Sequence, residues 1–265
     1  MISSSTVEEM PSVLCRALGA YWERDPHPAL AAHFARTWFH VRPTVFAEPV
    51  AVVPDGYADL QWVNGVLRIA GPDRTVTSEE LPAGTVIVGL RFQPGALGRW
   101  LGTSAPELVN GRVALEEFWG TEARRLAAIA SEGRNPEAIA RLLETSLVER
   151  MSRVKAPDRA ASAIFRTIGA DPFDPIEITR RLSESLGMSA RTVRRRAVEA
   201  FGYGPKTLQR ILRFQGFLRA ARATPTRGLA ELATVAGYAD QPHLSREARQ
   251  LTGMTPTTVL GRLPP

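Results

Sequence analysis

Hydrophobic residues in the C-terminal third of the chain recur every three to four positions, a spacing that predicts amphipathic helices. In residues 176–202 one such helix ends at Gly187, which can adopt the positive φ of a tight stop. A second helix follows Ser189, a favourable N-cap residue. Residues 176–202 therefore predict a helix-turn-helix unit.

The same arrangement occurs again in residues 228–253. Gly237 separates two helical patterns, and Asp240 is placed to cap the second helix. Between the two units, residues 205–223 form an apolar stripe typical of one long helix. At 1.5 Å per residue this helix would span roughly 28 Å, enough to hold two helix-turn-helix units about one DNA turn apart.

The outer faces of the second helix in each unit carry side chains suited to reading DNA. Arginine can donate two hydrogen bonds to guanine, and glutamine can pair with adenine. The predicted base-reading residues are Arg191, Arg194 and Arg195 in the first unit and Gln241, Ser245 and Arg246 in the second, with His243 and Arg249 beside them. The predicted contacts to the DNA backbone are Arg180, Arg181, Arg196, Lys206 and Arg210.

Charge is unevenly distributed along the chain. Residues 157–265 hold 17 Lys and Arg against 9 Asp and Glu, a net charge of +8. The remaining residues, 1–156, hold 16 against 18, a net charge of −2. A basic domain beside a nearly neutral one is typical of phosphate binding, so double-stranded DNA is the expected partner.

The N-terminal half has a different pattern, with short apolar runs between residues 35 and 92 separated by turn-forming residues. These runs predict a small β-sheet or barrel. Asn64-Gly65, between two apolar runs, is a strong hairpin signal. The expected fold is therefore α+β. An N-terminal domain would cover residues 1–154, and an all-α DNA-binding domain would cover residues 155–265.

Helical spacing resumes after Gly95, and residues 136–151 carry an apolar stripe. The stripe has two interpretations: it packs on its own β-domain, or it forms a dimer interface. Its residues are Ile139, Leu142, Leu143 and Leu147.

Aromatic residues of the same half, together with one arginine, could line a pocket for a small, partly anionic aromatic effector. The alternative is that the aromatic residues form core and that Arg91 is ion-paired or lies at the surface. The candidates are Trp38, Tyr57, Trp62, Arg91, Phe92 and Trp100.

The C-terminal motifs LGMSARTVRRRAVEAFGYGPKTLQRILRF and GYADQPHLSREARQLTGMTPTTVL resemble the tandem helix-turn-helix domain of the AraC/XylS transcription regulators. The resemblance covers about residues 157–265 and implies that both sets of base-reading residues occupy DNA-contacting positions. Pro242, Leu244 and Ala248 depart from residues that are often polar or aromatic in the family. Pro242 is compatible with the fold if it lies in the first helical turn.

The N-terminal motifs PDGYADLQW, AGP, VGLRFQPGA and LEEFWG resemble the corresponding domain of a subgroup of these regulators. This resemblance implies an effector-binding or oligomerisation domain, and hence control by a small molecule. A domain used only for dimerisation or partner docking is the alternative. The implied partners are DNA, a small-molecule effector, a second copy in a homodimer and, for an activator, RNA polymerase.

No catalytic residue, metal site or cofactor is expected. Ser152 and Lys155 have the spacing of one nucleophile motif but lack its companion motifs. The four histidines are scattered, and a DNA-repair alkyl acceptor would need more cysteines than Cys15. A lone cysteine and the lack of a long apolar run or signal peptide favour a cytoplasmic protein without membrane insertion.

Overall fold

A computed structural model of the chain describes residues 13–14, 19–45, 48–170 and 175–263. Strands predominate up to residue 92, and the remainder is largely helical, so the α+β class is confirmed. The strands are β1 (Val13–Leu14), β2 (Ala20–Arg24), β3 (Phe34–Val41), β4 (Val50–Val52), β5 (Asp59–Val63), β6 (Val66–Ala70), β7 (Thr77–Glu79), β8 (Val86–Phe92) and β9 (Arg112–Ala114).

Two antiparallel sheets form the N-terminal half, for which the sequence predicts a small β-sheet or barrel followed by helices. The larger sheet has the strand order β2-β3-β8-β5-β6-β9, and the smaller has the order β1-β4-β7. Asn64 and Gly65 join β5 to β6 with Val63 opposite Val66, and both turn residues have positive φ. The predicted hairpin is therefore confirmed.

In β5 and β8 the large sheet presents different kinds of residue on its two faces. On β5, Leu60 and Trp62 face a helical layer, while Asp59 and Gln61 face the small sheet. On β8, Arg91 likewise faces the small sheet. Because side chains alternate along a strand, one sheet presents an apolar core on one side and polar groups on the other.

Helices cover the apolar face of the large sheet. Ile139, Leu143 and Leu147 are buried in this core, and Leu142 is partly exposed. Of the two interpretations of the stripe, the structure therefore favours packing on the N-terminal half, because three of its four side chains are already covered. The helices are α1 (Leu97–Leu101), α2 (Glu116–Trp119), α3 (Thr121–Ser131) and α4 (Pro136–Arg150).

Seven further α-helices lie in the described residues after position 154, and the predicted long helix has the predicted bounds. They are α5 (Arg159–Ala170), α6 (Pro175–Leu186), α7 (Ala190–Phe201), α8 (Pro205–Ala223), α9 (Leu229–Val235), α10 (Gln241–Thr252) and α11 (Pro256–Leu260). In the part of the chain that the structure describes, no helix is long and apolar enough to cross a membrane. The lone Cys15 and the side chain of Ile176 lie outside the described residues.

The hydrophobic core of the C-terminal half extends into the N-terminal half. Leu14, Ala51 and Val53 of the N-terminal half belong to the cluster formed by α5 to α11. Two polar contacts cross the same boundary: Gln215 Nε2 donates to the Pro54 carbonyl at 2.7 Å, and Val76 N donates to the Leu251 carbonyl at 2.7 Å. The predicted domain boundary after residue 154 stays a prediction, while the packing extends across it.

Candidate nucleic-acid interface and N-terminal cavity

The first helix-turn-helix unit consists of α6 and α7. Gly187 has φ +59° at the turn, and Ser189 Oγ accepts the Thr192 N–H at 3.2 Å. Both assignments made from the sequence are confirmed. At the other end of α7, a Cβ on Gly202 would lie 2.2 Å from Val109 Cγ2, so glycine permits close contact with the N-terminal half.

The second unit consists of α9 and α10 and has the same construction. Gly237 has φ +80°, Asp240 Oδ1 accepts the His243 N–H at 2.6 Å, and Pro242 lies in the first turn as predicted. The N–H groups of the first helical turn have no carbonyl acceptor within the helix. Proline, which lacks an N–H, therefore loses no hydrogen bond there.

A buried carboxylate attaches α10 to the connecting helix α8. Glu247 is 4% exposed and accepts hydrogen bonds from Arg213 at 2.8 Å, Arg210 at 3.2 Å and the Tyr238 hydroxyl at 3.1 Å. The Arg213 guanidinium also lies 4.7 Å from the centre of the Tyr238 ring. Burial, with the nearby Glu247 carboxylate, raises the pKa of Tyr238. This cluster fixes the orientation of the second recognition helix.

Most of the predicted base-reading side chains lie on the outer surfaces of α7 and α10. Ser245 and His243 are partly exposed, and the His243 ring packs edge-on against Tyr238. Arg195 pairs with Glu199 one turn later, an exposed contact that costs little to break. The exposed residues are Arg191, Arg194, Arg195, Gln241, Arg246 and Arg249.

The predicted backbone-contacting residues divide into two groups. Arg180, Arg181 and Lys206 are exposed, and Arg180 forms an exposed ion pair with Glu184 one turn later. Arg196 instead pairs with Asp158 at 2.5 Å at the junction between the halves, and Arg210 pairs with Glu247. A phosphate contact by either of these two arginines would have to replace a protein carboxylate.

A cavity of about 80 Å³ lies between the two sheets of the N-terminal half. Trp38 and Tyr21 form part of its wall and stack with their ring centres 6.1 Å apart. Trp38 can lie across β8 because its neighbour is Gly89, where a Cβ would come within 2.0 Å of the indole.

Two clusters of ion pairs line this cavity. In one, Arg112 pairs with Asp73 at 2.8 Å, and Arg112 and Arg68 both pair with Glu79 at 2.5 Å. The two flanking guanidinium groups lower the pKa of Glu79 against the opposing effect of burial.

In the other cluster, Arg91 lies 3.2 Å from an Asp55 oxygen and 3.4 Å from an Asp59 oxygen. The guanidinium also lies over the Tyr57 ring, 5.1 Å from its centre. Asp59 Oδ1 additionally accepts the Trp38 indole N–H at 3.1 Å. The expectation of an anionic effector depended on an inward arginine, but Arg91 already has two carboxylate neighbours, so the charge of this cluster does not favour an anion.

The structure brings together three of the six candidate effector-binding residues. Trp38, Tyr57 and Arg91 line the cavity. Trp62, Phe92 and Trp100 pack in the helix-covered core on the opposite face of the large sheet. The charged lining was not identified from the sequence, although the alternation of Asp59 and Gln61 with apolar neighbours was a signal for it.

Asp55 is unusual among the cavity residues because it is poised to change protonation state. Burial and the adjacent Asp59 raise the pKa of Asp55 to about 6 from its ordinary 3.8, while Arg91 and the Tyr57 N–H oppose the rise. Ionised Asp55 is therefore less favourable in the fold than in the unfolded chain.

Because the pKa of Asp55 is raised, its contribution to stability is present below about pH 4 and is lost as the pH rises to about 6. Asparagine cannot ionise, so the Asp55→Asn variant does not lose this stability as the pH rises. The free energy of unfolding of the variant, minus that of the wild type, should grow by about 3 kcal/mol over this interval and stay constant above it. Urea unfolding of both proteins at a series of pH values measures the difference, and a difference independent of pH would contradict the assignment.

Tandem helix-turn-helix units, outward arginines and net positive charge define a DNA-binding protein with two recognition helices. Residues 182–262 match a helix-turn-helix domain family, and the C-terminal region is a helix-turn-helix domain of the AraC type. Residues 23–114 match a domain of unknown function (DUF6597). This second match spans most of the described strands and the whole arginine–carboxylate lining of the cavity.

No curated protein matches the chain. Similar solved structures include apo ToxT of Vibrio cholerae, at 12% identity and TM-score 0.46 over 91% of this chain and 100% of that one. They also include ToxT of Vibrio cholerae with an unsaturated fatty acid bound, at 11% identity and TM-score 0.46 over 97% of this chain and 98% of that one.

Proposed function

We propose that the protein is a sequence-specific DNA-binding transcription regulator in which α7 and α10 enter successive segments of the major groove. The observation that carries this proposal is the presence of two capped recognition helices with exposed arginines, joined by α8, in one AraC-type domain. Arg191, Arg194, Gln241 and Arg246 read bases in this proposal, and Arg180, Arg181 and Lys206 contact phosphates. The protein acts in the cytoplasm, where it reaches chromosomal DNA.

Arg246→Ala tests the assignment of α10. We expect the variant to lose about 1 to 3 kcal/mol of binding free energy on the preferred site and little on random DNA, because a base contact is sequence-dependent. Fluorescence anisotropy with the two duplexes measures both affinities. Arg134→Ala, at an exposed arginine of the N-terminal half, is the matched control and should bind both duplexes like the wild type. Equal losses on both duplexes for Arg246→Ala would assign the residue to phosphate contact.

We infer that the N-terminal half is a sensor whose cavity is coupled to the DNA-binding helices. The segment Val53 to Tyr57 supports this inference because it lines the cavity and also packs against the DNA-binding helices. Its Asp55 faces the cavity, while its Tyr57 ring packs 4.8 Å from the Phe165 ring of α5. The neighbouring Pro54 carbonyl accepts the hydrogen bond from Gln215 of α8.

The DNA-binding half also faces this segment through a buried tyrosine. Tyr203, two residues after the end of α7, is 5% exposed, and its hydroxyl has no hydrogen-bond partner among the described residues. Burial, with Asp55 and Asp73 nearby, raises the pKa of Tyr203. A ligand that changes the position or charge of Asp55 therefore changes the surroundings of the first recognition unit, and it regulates DNA binding if it favours one arrangement of the halves.

The alternative for the N-terminal half, dimerisation or partner docking alone, receives less support. The apolar stripe on α4 is mostly buried within the chain, and a docking surface alone would not need the cavity of charged and aromatic residues between the two sheets.

A further inference from the structure

We propose that the cavity between the two sheets binds the head group of a small organic cation, held by Asp55 and Asp59 against the Trp38 ring. The inference deepens the proposed sensor role and depends on it. The charge balance of the lining, the size of the cavity and its aromatic wall carry the proposal.

The lining contains one more carboxylate than guanidinium groups. Its acids are Asp55, Asp59, Asp73 and Glu79, and its arginines are Arg68, Arg91 and Arg112. A buried negative charge without full compensation is costly, so a bound cation would stabilise this lining and an anion would not.

The uncompensated charge lies at one place in the cavity. Arg68 and Arg112 are committed to Glu79 and Asp73 by hydrogen bonds of 2.5 to 2.8 Å. Arg91, by contrast, is shared between Asp55 and Asp59 at longer distances, and its Nε is buried without a hydrogen-bond partner among the described residues. Two carboxylates that share one loosely held guanidinium leave acceptor capacity for a second cation.

The size and the wall of the cavity specify the ligand further. A space of about 80 Å³ is well below the roughly 300 Å³ of a typical drug-sized site, so it suits a head group of a few heavy atoms. The Trp38 indole, the best aromatic group for a cation, forms part of the wall beside Asp59. Val50, Val52 and Ile87 supply apolar lining for a short alkyl chain. An alkylammonium ion satisfies both requirements.

The test is isothermal titration calorimetry of the full-length protein, without DNA, using three probes of similar size. Propylammonium chloride is the cation, propanol the neutral analogue and sodium propionate the anion, each compared with sodium chloride at equal ionic strength. We expect saturable binding of propylammonium only. Asp59→Asn and Trp38→Phe should each weaken it about tenfold or more, while Glu132→Gln, which removes an exposed carboxylate elsewhere, should leave it unchanged.

The titrations of the wild-type protein test the cation site even if a cavity variant fails to fold. Binding of propionate in preference to propylammonium would overturn the proposal in favour of an anion site. Binding of none of the three probes would also overturn it and would make the cavity a structural ion-pair network. Since the titration contains no DNA, either failure leaves the DNA-binding assignment intact, and selection of bound DNA sequences tests that assignment separately.

Discussion

Glu247→Ala is expected to cost about 3 to 5 kcal/mol of the free energy of unfolding and to abolish specific DNA binding through α10. The substitution leaves Arg213, which is 7% exposed, without its carboxylate partner and leaves the buried Tyr238 hydroxyl without an acceptor. Urea unfolding followed by circular dichroism measures the stability change. Anisotropy with a preferred duplex measures the binding.

Glu231→Ala is the matched control for this variant. Glu231 lies on α9 of the same helix-turn-helix unit, but it is exposed and pairs with the exposed Arg227 one turn away. We expect the control to change stability by less than about 1 kcal/mol, because exposed ion pairs contribute little. Similar effects of the two substitutions would show that the Glu247 cluster does not hold α10 in place.

The double substitution Leu143→Glu and Leu147→Glu is expected to unfold the N-terminal half. Both side chains are fully buried, so the variant would place two carboxylates in an apolar core, which costs more than 4 kcal/mol by the usual scale of such changes. Circular dichroism and size-exclusion chromatography with light scattering measure folding and mass.

Thr145→Glu, on the exposed side of the same helix, is the control and should remain folded with unchanged mass. A folded double variant whose mass fell from that of a dimer to that of a monomer would contradict the core assignment. It would support the dimer interface that the sequence also allowed.

The DNA-binding half is largely predictable from local signals. Its helices obey a 3.6-residue spacing, and Ser189, Asp240, Gly187 and Gly237 occupy caps and turns whose preferences are determined within a few residues. α8 was predicted with its observed bounds because Pro205 is favourable at a helix start and the apolar stripe continues to its end.

The N-terminal half is less predictable because long-range packing decides its strands. The bounds of β3 are hard to predict because the strand is buried on both faces, including the polar side chains of Thr37 and His40, and lacks the alternation that indicates a half-buried strand. β7 and β9 are three residues long, and their pairing depends on strands far away in the sequence.

The cavity shows the same limitation in its chemistry. Each of its charged residues is separately compatible with an exposed strand face, and Arg91 could be interpreted from the sequence as an anion-binding group. The carboxylates that neutralise it come from Asp55 and Asp59, more than 30 positions earlier. The contact between the segment Val53 to Tyr57 and the DNA-binding helices likewise joins residues more than 100 positions apart, beyond any local pattern.

The most direct test of the central claim is selection of bound sequences from random double-stranded DNA by the purified full-length protein, at two salt concentrations. Two recognition helices joined by α8 predict enrichment of a motif with two sequence blocks about one helical turn apart. Enrichment of these blocks should persist at the higher salt concentration, although total binding falls as phosphate contacts weaken. Binding without any enriched motif, lost steeply at the higher salt concentration, would contradict the account and reduce the arginines of α7 and α10 to nonspecific phosphate contacts.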